Sequence, residues 1–143
     1  MRTILLILIG LSTLLQAERF TRDATAMVVT DTQTNLQWQD DAAAKTTRKN
    51  WQDAITHCEG LTLGDEDDWR LPNLNELYYI ADRDIYNPAL SSVFVNVVSS
   101  NYWSSTTDAS DTSNAWGVYF YYGSDYWGTK SISCFVRCVR AGQ

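Results

Sequence analysis

Three cysteines and a single histidine are the side chains in this 143-residue sequence with obvious nucleophilic or soft-metal chemistry. His57 and Cys58 are adjacent, but neighbours on a helix point about 100° apart, and a thiolate–imidazole pair must meet in space. His57 therefore reads as a residue at the solvent edge of a helix. No second histidine or zinc-type cysteine spacing is present, and no glycine-rich phosphate loop occurs. The sequence thus predicts no catalytic residue, no metal ligand set and no cofactor.

The charged and aromatic groups are more informative. The run Asp65-Glu66-Asp67-Asp68 lacks the alternating ligand spacing of a calcium loop and reads as a solvated turn, with Asp68 holding backbone N–H groups or Arg70. The same reading applies to the later loop with Asp108 and Asp111. Arg70 sits between Asp68 and Glu76, which predicts a structural ion pair. Trp38, Trp51, Trp69, Trp103 and Trp116 fall at core-facing positions and read as packing. A last group differs: Tyr119, Tyr121, Tyr122, Tyr126 and Trp127 are mixed with Gly123, Ser124, Asp125 and Gly128. Recognition loops use this palette, because Tyr and Trp give large contact area at low entropy cost while small polar residues adapt. The predicted contact surface is Tyr119, Tyr121, Tyr122, Asp125, Tyr126 and Trp127, with Asn114 and Asp111 at its rim; the competing reading is an ordinary aromatic hairpin with cross-strand pairs.

Positioning these groups falls to elements that the pattern outlines. Ile4 to Leu15 is almost wholly apolar behind a basic Met1-Arg2, with Ala17 at a cleavage position, so residues 1–17 are expected to be a signal peptide and 18–143 one domain. No stable membrane span is expected once the leader is removed. Loss of Arg2 moves the formal charge from −6 to −7, a balance that argues against nucleic acid and other polyanions as partners. Arg137, Arg140 and Lys130 could still form a local basic patch. In an exported protein, three cysteines give one disulfide and one leftover thiol.

Met27 to Thr30 and Leu36 to Gln39 predict a first hairpin. Asn50 with Asp53, followed by Trp51, Ala54, Ile55, Cys58 and Leu61 at helical spacing, predicts a helix that Gly60 closes. Trp69, Pro72 and their neighbours form a rigid corner. Asn73 with Glu76 then caps a second helix bearing Leu74, Leu77, Tyr78 and Ala81 on one side. Tyr102 to Thr106, Ala115 to Tyr122, Tyr126 to Lys130 and Ser133 to Arg140 predict strands, with a turn at Gly123-Ser124-Asp125. The order predicts an α+β fold, two helices packed on a mainly antiparallel sheet.

Several of these segments carry a resemblance. Thr34-Asn35-Leu36-Gln37-Trp38, Trp51-Gln52-Asp53-Ala54-Ile55 with Cys58, Asp68-Trp69-Arg70-Leu71-Pro72 with Glu76-Leu77, Tyr102-Trp103-Ser104-Ser105, Ala115-Trp116 with Phe120 and Gly123, and Val136-Arg137-Cys138-Val139-Arg140 resemble, in order, the motifs of the Lcl carboxy-terminal domain family. That family takes its name from the end of the Legionella collagen-like adhesin. The last motif also resembles the end of sulfatase-modifying-factor domains, which together implies a C-type-lectin-like fold. The resemblance implies an exported bacterial surface domain, periplasmic, cell-surface or secreted, that binds a glycan or surface protein without catalysis. Trp69, Arg70, Pro72, Glu76, Trp103 and Arg137 would then be structural. It further implies a Cys58–Cys138 disulfide, although Cys134 would compete for Cys58 if it shared a strand face with Cys138. The rival readings are an enzyme related to the sulfatase-modifying folds, with Cys134 as a reactive thiol, and a structural envelope protein.

Overall fold

The computed structural model describes residues 17–142, so the predicted signal peptide lies almost wholly outside the described residues. The described chain is α+β, with two mostly antiparallel sheets rather than the single sheet expected. Strands β1 (Phe20–Asp23), β2 (Val28–Asp31) and β3 (Leu36–Gln39) form a meander. After the short helix α1 (Ala43–Thr46) and strand β4 (Arg48–Lys49) come helices α2 (Trp51–Glu59) and α3 (Leu74–Ile80). Then follow β5 (Asn101–Thr107), β6 (Asn114–Tyr119), β7 (Ser124–Thr129), β8 (Cys134–Phe135) and β9 (Val139–Ala141).

The extra sheet arises at the end of the chain. The apolar run Ser133 to Arg140, expected as one strand, divides: β8 joins the second sheet, ordered β4-β8-β5-β6-β7, and β9 closes the first, ordered β1-β2-β3-β9. The contact between β5 and β8 is parallel, through Tyr102 and Phe135; the other pairings are antiparallel.

The helix starts form as their caps dictate. Asn50 accepts from Asp53 N at 2.9 Å, and Asn73 with Glu76 makes a reciprocal capping box. Helix α3 buries Leu77 and Ile80; Tyr78, expected inward, faces out and carries the Arg83 guanidinium on its ring.

Strand alternation gives β5 two buried faces, because Tyr102 and Trp103 point to opposite sides of the sheet and enter separate core clusters. Tyr102 packs with Val118, Phe120, Leu77 and Trp38, whereas Trp103 packs with Trp69, Cys58 and Cys138.

The corner Arg70–Pro72 laces the two sheets together. Arg70 exchanges backbone hydrogen bonds with Val139 of β9 at 2.9 Å each way, and Pro72 O accepts from Ser105 N of β5 at 2.8 Å. As expected, Arg70 pairs with Glu76, by two hydrogen bonds of 2.7 Å. Asp68 turns instead to Arg140, whose Nε lies 2.6 Å from Asp68 Oδ1, because β9 brings that guanidinium beneath the acidic turn. No basic patch forms from Arg137, Arg140 and Lys130. Arg137 and Arg140 are buried among carboxylate and carbonyl oxygens, and Lys130 lies 4.0 Å from the centre of the Trp51 ring.

Candidate functional site

The aromatic hairpin exists, with its turn earlier than the sequence suggests. Tyr119 pairs with Ser124, so the reversal is Phe120-Tyr121-Tyr122-Gly123, and Ser124 and Asp125 already belong to β7. Gly123 closes the turn at φ 78°, where a side chain would also press on Arg83 Cγ at 3.0 Å and Ala89 Cβ at 3.2 Å. Phe120 is buried and anchors the turn through its N–H to Ser100 O at 2.9 Å.

A second segment is fastened alongside. Asn87 N donates to Tyr121 O at 2.8 Å and Ala89 N to Phe120 O at 2.7 Å. Arg83 Nη1 donates to Gly123 O at 3.2 Å. These bonds bring Tyr86 against the hairpin tip, its ring centre 6.2 Å from that of Tyr121 and 6.5 Å from that of Tyr122. Tyr121 and Tyr122 meet edge to face at 4.6 Å, and Tyr119 lies 6.0 Å from Tyr121. Tyr86 is 69% exposed and Tyr122 60%. Four tyrosines from two segments thus form one surface patch. Sequence reasoning missed Tyr86, since nothing near it signals a site; its place is set by backbone pairing to a segment more than 30 residues away.

The other predicted contact residues are dispersed. Asp125 and Trp127 share a face of β7, and Trp127, 59% exposed, lies opposite Trp116. Tyr126 points the other way. Its ring packs under Gly117, 6.2 Å from Trp103, and its hydroxyl lies 3.1 Å from Cys134 Sγ. Asn114 is buried, and Asp111 accepts from Ser113 N at 3.0 Å and Ser113 Oγ at 2.6 Å. Asn114 opens β6, about 17 Å of strand from Tyr119, and Asp111 lies in the loop before it. The patch therefore unites Tyr119, Tyr121 and Tyr122 and leaves Tyr126, Asn114 and Asp111 elsewhere.

Reactive groups are placed for structure. Cys58 and Cys138 form a disulfide that closes a loop of 80 residues, the pairing that the resemblance implies. Cys134 cannot share a strand with Cys138, because the chain leaves β8 before reaching it. Burial pushes the Cys134 thiol up, against the opposing pull of the Tyr126 hydrogen bond and the Arg48 charge. Burial likewise raises the Tyr126 hydroxyl, with Cys134 adding to the effect. His57 is half-buried, and desolvation first, then the Lys49 charge, lowers its pKa. Among the described residues, no group of three or more His, Cys, Asp or Glu side chains is arranged to hold a metal ion.

The two buried guanidiniums form internal hubs. Arg137 donates to Asp40 Oδ1 at 3.2 Å and to the carbonyls of Gln39 and Asn96, while its guanidinium lies over the rings of Phe94 and Tyr102. Arg140 is held by Asp68, Gln37 and Glu66.

Fold and surface together define a disulfide-braced α+β module whose exposed chemistry is aromatic. The chain belongs to the Lcl C-terminal domain family, whose pattern matches residues 27–140. No curated protein matches it. No helix among the described residues is long and apolar enough to cross a membrane.

Proposed function

We propose that this chain is an exported bacterial recognition module, C-type-lectin-like in arrangement and without catalytic activity, which binds a glycan or surface protein through its tyrosine patch. One observation carries the reading: Tyr86 and Tyr122, exposed, and Tyr119 and Tyr121, half-buried, are gathered from two segments into one surface cluster held by backbone hydrogen bonds. Exposed grouped aromatic rings of this kind mark interaction sites. Rigid aromatic anchors lose little entropy on binding. The disulfide and the family membership support export. The disulfide joins α2 to the residue just before the last strand, β9, and this placement supports the lectin-like arrangement.

The experiment replaces Tyr86, Tyr121 and Tyr122 together by Ala and measures adhesion of the purified protein to cells and glycan surfaces. Loss of adhesion with a melting temperature within a few degrees of the parent is expected, since exposed substitutions shift stability by about 0.5 kcal/mol. Unchanged adhesion would remove the patch as the contact surface.

A further inference from the structure

An edge strand presents a row of unpaired N–H and C=O groups, and proteins blunt such edges with short strands, charges, bulges or a covering segment. Three of the four sheet edges here are managed in this way. Strand β4 has two residues, β1 has four and ends on Arg22 and Asp23, and β9 is covered by Arg70, which exchanges backbone hydrogen bonds with Val139.

Strand β7, the fourth edge, has none of these devices. It runs six residues in unbroken register with β6, holds no Lys or Pro, and has Asp125 as its one charged side chain. Among the described residues, no backbone group outside the β6–β7 ladder bonds to its backbone from Ser124 to Gly128. Trp127 stands 59% exposed on this strand, and Ile132 just beyond it is 45% exposed.

Independently of the tyrosine patch, we propose that β7 pairs antiparallel with β7 of a second copy of this chain, joining two five-stranded sheets into one. Residues opposite each other share a sheet face, so such a two-fold pair is centred on a residue and never between two. Centring on Asp125 sets two carboxylates face to face, which is destabilising. Centring on Trp127 sets Trp127 against its twin, Tyr126 against Gly128 and Asp125 against Thr129, with no like charges opposed.

That register repeats pairings that the chain already makes. Within the β6–β7 ladder Trp127 lies opposite Trp116, and Tyr126 lies opposite Gly117, its ring filling the space where a side chain would stand. Pairing about Trp127 extends the first into a row of four tryptophans and gives Tyr126 a glycine on its other side as well. Centring on Tyr126 repeats neither. A foreign strand would meet the same backbone edge, but this match of side chains selects the chain's own sequence.

The test is sedimentation equilibrium of the disulfide-bonded chain, followed to about 1 mM because one strand pair is a small interface. The mass is expected to rise to twice that of the monomer, and to do so at lower protein concentration in high salt, since both copies are net acidic. Trp127→Lys should hold the chain at the monomer mass with an unchanged melting temperature. Tyr122→Lys, on the turn outside β7, should still dimerise. Single cysteines are then placed by Asp125→Cys, Trp127→Cys and Thr129→Cys and oxidised. Only position 127 meets itself across the two-fold, so only Trp127→Cys should give a disulfide-linked dimer. A monomer throughout, a dimer that survives Trp127→Lys, loss of the dimer in Tyr122→Lys, or cross-linking of Asp125→Cys in place of Trp127→Cys would each overturn the proposal. Its failure leaves the adhesion test of the tyrosine variants unaffected.

Discussion

Asp40 Oδ1 lies 3.2 Å from Arg137 Nη1, and both side chains are fully removed from solvent. The same carboxylate accepts from Arg22 Nε at 2.6 Å and from the N–H groups of Val95 and Asn96 at 3.1 Å each. Asp40 therefore ties the first sheet, the last segment and the irregular stretch after α3 to one point. Breaking such a pair from one side leaves an uncompensated buried charge, which costs about 3–5 kcal/mol. Asp40→Ala is expected to lose that much in urea denaturation, and its midpoint is the measurement that checks it.

The Cys58–Cys138 bridge closes a loop of 80 residues. In the chain-entropy account a loop of that size contributes about 4 kcal/mol, so replacing both cysteines by Ala should lower the melting temperature by many degrees. Cys134, buried against Tyr126, should resist a thiol reagent in the folded protein and react fully in denaturant. Rapid labelling in the folded state would revive the thiol-enzyme reading.

Gly117 has no room for a side chain. A Cβ there would stand 2.3 Å from Tyr102 O and 2.6 Å from the Tyr126 ring. Gly117→Ala must push β6 away from β5 or displace Tyr126, and a loss of about 1–3 kcal/mol is expected in thermal melts. Gly60→Ala is the control, since the nearest atom to its Cβ is Thr56 O at 3.4 Å.

The Arg70–Glu76 fork should be visible as acid sensitivity. Burial pushes the Glu76 carboxyl up, but the Arg70 hydrogen bonds, the Asn73 N–H and the Arg70 charge outweigh it, leaving the pKa below the ordinary 4.5. A group depressed on folding adds stability above its unfolded pKa and loses it as pH falls through the folded value. The parent should therefore lose stability from about pH 5 downward more steeply than Glu76→Gln, as measured by melting temperature against pH.

The sequence made visible what is decided locally. Asn50 and Asn73 announced both main helices because a cap and the N–H it serves are three residues apart. Alternation outlined β5, β6 and the β2–β3 hairpin for the same reason. The tyrosine turn was displaced by about three residues because Gly123 ends the reversal, in the left-handed region, instead of starting it. Long-range pairing left no local trace: Asp40 and Arg137 are 97 positions apart, and Asp68 and Arg140 are 72 apart. Tyr86 joined the patch on the same terms.

The division of the final segment between sheets has a consequence for biogenesis. Val139 pairs with Trp38, and Phe135 pairs with Tyr102, so each sheet receives a strand from the last ten residues described. A chain emerging amino end first can form the β2–β3 hairpin early, but β3 keeps an open edge and Trp103 lacks its Cys138 wall until the finish. A chain stopped short of Cys134 would present two unfinished sheets at once, so one short segment decides whether both are complete.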